Sequence, residues 1–140
     1  MKSKTFKAVH QLFYEEFDPW RKEIMAHDLS SGGIYILHAG KPVPRLLKED
    51  ADGILYIGKG EILDYHNRIG KFVNSLNATE VVHDGGIRFN TEAIKKVYPL
   101  EDARIEVVLT KDPVGLEKER LRKYLDEFGE LPPFNRRMEE

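Results

Sequence analysis

The sequence predicts an α+β domain: one small sheet with helices on its faces. Three observations predict it. Ile34-Tyr35-Ile36-Leu37 and Ile54-Leu55-Tyr56-Ile57 are short β-type runs bounded by turn residues, close enough in sequence to form a hairpin. A third such run, Arg104-Ile105-Glu106-Val107-Val108-Leu109, lies downstream, and segments with apolar residues at helical spacing flank all three. The chain has 140 residues, 41% of them hydrophobic and 33% charged, which suits one folded domain with its own core.

Taken in order, residues 5–30 read as helical, because Phe6, Val9, Leu12, Phe13, Phe17 and Trp20 recur at helical spacings. Asp18-Pro19 pairs a capping residue with a proline suited to a first turn, so a break near residue 18 is expected. Ser30-Ser31-Gly32-Gly33 ends the region. Residues 39–53, with Gly40, Pro42 and Pro44, read as a long loop inside the hairpin, and Gly58-Lys59-Gly60 closes the second strand. Residues 62–76 read as a helix with Tyr65, Ile69, Phe72, Val73 and Leu76 on one stripe. A polar loop over 77–89 contains His83-Asp84-Gly85-Gly86. Asn90 is placed to cap a short helix through Val97, stopped near Pro99. The last helix carries the clearest signals: Asp112 as cap, Pro113 in the first turn, Gly129 at the end, and a buried stripe of Leu121, Tyr124, Leu125 and Phe128. Leu131-Pro132-Pro133-Phe134-Asn135 forms a tail.

Charge and composition exclude several classes. Lys and Arg number 22 against 24 Asp and Glu, so the net charge of −2 rules out a polycation that grips nucleic acid by bulk charge, while leaving room for a local positive groove. With no Cys there is no disulfide, thiolate metal site or Cys nucleophile. No apolar run approaches the ~18 residues of a membrane span. The first residues do not form a signal core, so a cytoplasmic location is expected.

Gly33-Ile34-Tyr35 and Tyr56-Ile57-Gly58 stand in order on the two successive strands. A helix carrying Arg68, a strand, an acidic helix and Pro132-Pro133-Phe134-Asn135 follow. This pattern resembles the GIY-YIG nuclease family, in the form of a small stand-alone member. The resemblance implies a three-stranded antiparallel sheet flanked by helices over residues 32–140, with residues 1–31 as an N-terminal helical extension. It also implies metal-dependent hydrolysis of DNA phosphodiesters, of restriction, repair or mobile-element type.

The resemblance assigns roles residue by residue. One of Tyr35 and Tyr56 acts on the attacking water, and the other supports it or a phosphate oxygen. A free Tyr has a pKa of about 10, so only about one in a thousand is ionised at neutral pH. The phenol therefore needs a neighbouring cation such as Lys59, or a proton from metal-activated water. Arg68 lies roughly 80° from the centre of its helix's apolar stripe, taking ~100° per residue. The family match makes its guanidinium a fork on the scissile phosphate. Glu117 shares the inward face of Leu121 and Tyr124, whereas Glu119 points nearly opposite. The family's metal-binding Glu is carried onto Glu117, with Glu119 as the fallback. A single carboxylate implies one hard cation, Mg²⁺ or Mn²⁺, completed by water and phosphate oxygens. Asn135 matches the family's C-terminal Asn, which binds phosphate or holds active-site groups.

Two departures bear on the site. Tyr35 and Tyr56 are 21 positions apart, so residues 39–53 are an insertion in the hairpin. Many members carry His one turn after the Arg, where this chain has Phe72, which leaves His66 or His83 to compensate. Lys59, Arg68, Arg88 and Arg136 are the candidate DNA contacts. The N-terminal region has enough apolar residues to need burial. Packing in cis is the plain reading, and a homodimer or protein partner is the alternative. The rival function is a catalytically weak or inactive nucleic-acid-binding or protein-interaction domain that retains the fold.

Overall fold

A computed structural model describes residues 2–27, 32–63, 68–77 and 89–136. Along the chain come β1 (Lys2–Lys7), α1 (His10–His27), β2 (Gly33–His38), β3 (Val43–Pro44), β4 (Glu49–Asp50), β5 (Ile54–Gly60), α2 (Arg68–Leu76), α3 (Glu92–Val97), β6 (Arg104–Leu109) and α4 (Pro113–Phe128). The main sheet has four strands in the order β1-β6-β2-β5, every neighbouring pair antiparallel. The fold is α+β as expected, but the sheet has a fourth strand beyond the three implied by the resemblance.

That strand corrects the helical reading of residues 5–30. Lys2–Lys7 pairs with β6, Phe6 standing opposite Ile105. Phe6 does join the aromatic stripe, but from a strand: its ring meets Phe13, Phe17 and Trp20 at centroid distances of 5.5, 5.6 and 5.4 Å. The expected break near residue 18 is also corrected, since α1 runs through Pro19. Phe13 and Phe17 are fully buried before the proline, and Trp20 packs after it. Each buried Phe is worth ~3–5 kcal/mol, which outweighs the ~3 kcal/mol cost of an interior proline. The N-terminal segment thus packs in cis.

Asn77 fastens it there. Its side-chain oxygen accepts from the His10 N–H (2.9 Å), and its amide nitrogen donates to the carbonyls of Ala8 and Val73 (3.0 and 2.8 Å). One side chain therefore serves the start of α1 and the end of α2. The cap of α3 is Thr91 rather than Asn90: Thr91 accepts from the Ile94 N–H, while Asn90 donates to the Ser75 carbonyl. Ile62 and Leu63 precede α2 without being helical, and 64–67 lie outside the described residues.

Side chains alternate across the sheet. Tyr35, Leu37 and Val107 face a core closed by α1 and α2, with Phe13, Phe17, Ile69, Phe72 and Val73. Ile34, Ile36, Ile57 and Val108 face α4 through Leu116 and Leu121. Asp112 caps α4 by accepting from the Gly115 N–H, and Gly129 ends it with φ +80°, as the sequence predicts.

The insertion over 39–53 folds as the small β3–β4 ribbon and straps onto the far end of α4. Arg45 and the Leu46 N–H both donate to Glu130, at 2.7 Å each, and Lys48 pairs with Glu127 at 3.0 Å. Asp50 is buried and accepts from the N–H groups of Asp52 and Ile54 and from the Tyr124 hydroxyl at 2.8 Å. No helix among the described residues is long and apolar enough to cross a membrane.

Candidate active site

The candidate site gathers around the Gly58-Lys59-Gly60 end of β5, an edge strand of the sheet. Register explains how. Tyr35 stands opposite Gly58, and Leu37 opposite Tyr56, so both tyrosines share one face as diagonal neighbours, with ring centroids 6.2 Å apart. The Tyr35 ring crosses over Gly58. A Cβ there would lie 2.5–2.7 Å from the ζ and ε2 carbons and the hydroxyl of Tyr35, so only glycine leaves room. A Cβ on Gly60 would lie 3.2 Å from the Cβ of Arg68, which brings the start of α2 against the same strand end.

Across β5 the Tyr35 hydroxyl accepts a hydrogen bond from Arg68. Burial pushes the Tyr35 phenol well above its ordinary range. Tyr56 and Glu117 add to the rise, while the Arg68 charge and hydrogen bond oppose it. Tyr35 is fully buried and stays a neutral phenol, whereas Tyr56 is only half-buried. Phe72 sits 4.9 Å from the Tyr35 ring and stacks on Tyr56 at 5.5 Å. At this position, then, an apolar ring buttresses the two phenols and no titratable group stands there.

Lys59 is opposite Ile34, on the face covered by α4, and its ammonium lies 3.3 Å from Oε1 of Glu117. The Glu117 charge acts on both Tyr35 and Arg68. The structure therefore places Tyr35, Tyr56 and Arg68 on one face at the end of β5 and the Lys59–Glu117 pair on the other, with the Glu117 charge reaching Tyr35 and Arg68 past the edge strand. Glu119 is exposed and points away, as its helical phase predicts.

Asn135 sits beside the cluster, tied to the backbone of Ile57. Its Oδ1 accepts from the Ile57 N–H and its Nδ2 donates to the Ile57 carbonyl, both at 2.9 Å. With Phe134 N–H donating to the Leu55 carbonyl, the tail closes the outer edge of β5 much as another strand would. Arg136 follows on the surface. His66, His83 and Arg88 lie outside the described residues.

Among the described residues, no group of three or more His, Cys, Asp or Glu side chains converges on one point. Glu117, with a side chain 13% exposed and ion-paired to Lys59, is a single hard oxygen donor. That donor set fits one Mg²⁺ or Mn²⁺ that keeps waters and draws further oxygens from a phosphate.

The sequence reading took Gly58 as a motif residue and as the close of its strand, whereas β5 runs on to Gly60 and Gly58 makes room for the Tyr35 ring. That reading missed His38, which bridges β2, β6 and the β4–β5 turn. Its Nε2 meets Glu106 at 3.0 Å and its Nδ1 meets the Asp52 carbonyl at 3.1 Å.

No family model, curated protein or solved structure matches the chain.

Proposed function

We propose that the protein is a GIY-YIG-type endonuclease that hydrolyses DNA phosphodiester bonds with one divalent cation. The observation that carries this reading is the geometry at the end of β5: the Tyr35 and Tyr56 rings 6.2 Å apart, Arg68 packed against Gly60, and Glu117 held 3.3 Å from Lys59, delivered by separate elements. Phosphodiester hydrolysis needs a proton acceptor for water, a fork for the non-bridging oxygens and a charge partner for the developing negative charge. Tyr56 as phenolate would supply the first and Arg68 the second, and a cation held by Glu117 would supply the third.

Arg68 binds two phosphate oxygens through its planar fork and stabilises the charge that grows on them. Buried Tyr35 is a neutral phenol that orients Arg68 from beneath. The half-exposed Tyr56 meets the attacking water and, in its minor phenolate form, accepts the water's proton, while the oxygen that leaves phosphorus takes a proton from solvent. Glu117 would hold Mg²⁺ or Mn²⁺, which when bound would lower the pKa of water and offset phosphate charge. Asn135 keeps the Ile57 backbone, and with it Tyr56, in register.

Arg68→Ala and Glu117→Gln are expected to lose cleavage by at least ~10²–10³-fold, the usual cost of one such stabiliser, with the fold intact by circular dichroism. Full activity in folded Glu117→Gln together with an inactive Glu119→Gln overturns the choice of carboxylate. The biological setting is restriction, repair or a mobile element.

A second reading has its own support. Phe72 offers no titratable group, and the Lys59 ammonium already neutralises Glu117. Both suit a nucleic-acid-binding domain that keeps the fold with little catalysis. DNA binding without metal-dependent cutting points to it.

A further inference from the structure

Resting on the reading of Glu117 as the cation ligand, we infer that Lys59 is a built-in stand-in for the divalent cation. Its ammonium holds the position at Glu117 in the DNA-free protein. A cation takes that position only as Lys59 is drawn off toward a DNA phosphate.

The geometry is specific. Lys59 comes from a strand whose register is fixed against Ile34, so its stem reaches Glu117 along the sheet face under α4. The Nζ to Oε1 distance is 3.3 Å, with the two side chains 25% and 13% exposed. A carboxylate covered to that degree needs a counter-charge, and here the strand supplies it. An ammonium in contact with that oxygen and a divalent cation coordinated to the same carboxylate would sit side by side with like charge in a partly desolvated place. The two occupants therefore exclude one another. Lysine suits the exchange: it is a compact point charge on a flexible four-carbon stem, where Arg68 is a planar fork that hydrogen-bonds Tyr35.

The consequence is linkage. DNA that attracts Lys59 raises the affinity for the cation, and by thermodynamic necessity the cation raises the affinity for DNA by the same factor. Neither ligand binds strongly alone, so the hydrolytic site assembles only on substrate.

The test is Mn²⁺ binding to the full chain without DNA, read as loss of the free-Mn²⁺ paramagnetic resonance signal. Lys59→Met is expected to bind Mn²⁺ more tightly than wild type, by roughly the 5–150-fold range of typical couplings. Lys59→Arg stays near wild type, and adding Glu117→Gln to Lys59→Met removes the gain. Lys59→Gln serves as the second charge-removing variant should Lys59→Met not fold. Unchanged or weaker Mn²⁺ binding in the charge-removing variant overturns the inference, as does a gain that survives Glu117→Gln. A Glu117-dependent gain in a protein that no cation makes cut DNA keeps the inference and sinks the nuclease reading. Metal-dependent cutting with no gain does the reverse.

Discussion

Gly58 shows how one missing side chain builds the site. The Tyr35 ring occupies the space where a Cβ would stand, and its hydroxyl reaches Arg68 only by that route. Gly58→Ala is expected to cost ~1–3 kcal/mol as an overpacked position, read as a lower midpoint in urea, and to cut cleavage as well. Wild-type stability in Gly58→Ala contradicts the close approach. His38 gives a second expectation. Both ring nitrogens face acceptors, the Glu106 carboxylate and the Asp52 carbonyl, so the ring must carry two protons to satisfy them. Burial opposes that charge, but the Glu106 hydrogen bond, the Asp52 carbonyl and the charges of Glu106 and Asp52 outweigh it and hold His38 above its ordinary value. The His38 hydrogen bond in turn holds Glu106 low against burial, helped by the charges of His38 and Arg120. A raised His stabilises fully below its unfolded value of about 6.5 and loses that contribution as pH rises through the folded value. A depressed Glu stabilises above its unfolded value of about 4.3 and loses that contribution as pH falls through the folded value. The melting-temperature gap between wild type and His38→Gln should therefore be widest near pH 5–6 and shrink toward pH 9; a gap flat with pH contradicts the charged pair. At this scale the placement of Tyr35, Tyr56, Arg68 and Glu117 near one end of β5 was legible from motif and helical phase. The partners of His38 and Asn135 were not, because a single polar residue carries no period and its partner is set only by tertiary packing.

Helix α4, the β2–β5 hairpin and β6 were legible because caps, turn residues and apolar runs agree locally. Strand β1 was not. Of its six residues only Phe6 is buried, and the rest alternate Lys with Ser and Thr along an exposed edge, so no period-two apolar signal exists. Phe6 happens to fall at helical spacing from Phe13 and Phe17, and that coincidence extended the helix backward in the sequence reading. Three edge lysines also discourage pairing with another sheet. Phe6→Ala removes the ring on which Phe13, Phe17 and Trp20 converge, and is expected to cost ~3–5 kcal/mol by urea unfolding. That is a large share of the ~5–15 kcal/mol typical of a domain. A change under ~1 kcal/mol would mean that β1 is not part of the core. The insertion was legible as a loop but its docking was not, since the Arg45–Glu130 and Asp50–Tyr124 contacts span 85 and 74 positions. Those anchors lie from Tyr124 onward, roughly 10–20 Å along the helix from Glu117, so the ribbon braces α4 away from the candidate site.

For the molecule as a whole, the proposed function together with a net charge of −2 predicts that DNA is held by few cations placed at the site. Lys59, Arg68 and Arg136 supply these among the described residues. Binding is then modest in affinity and salt-sensitive, with a shallow slope in log K against log salt, because each neutralised phosphate contributes only about 0.9 to it. A slope near that of a protein making six or more phosphate contacts contradicts this picture. The central claim, that the Tyr35–Tyr56–Arg68–Glu117 cluster hydrolyses DNA with a metal ion, has its most direct test in a supercoiled-plasmid cleavage assay. The assay runs the purified wild type, Arg68→Ala, Glu117→Gln and Glu119→Gln with Mg²⁺ or Mn²⁺, each with and without EDTA. The expected result is nicking or linearisation by wild type and Glu119→Gln that EDTA abolishes, with Arg68→Ala and Glu117→Gln inactive though folded. Cutting that persists in EDTA or in Arg68→Ala contradicts the account, and so does a folded wild type that binds DNA and cuts none.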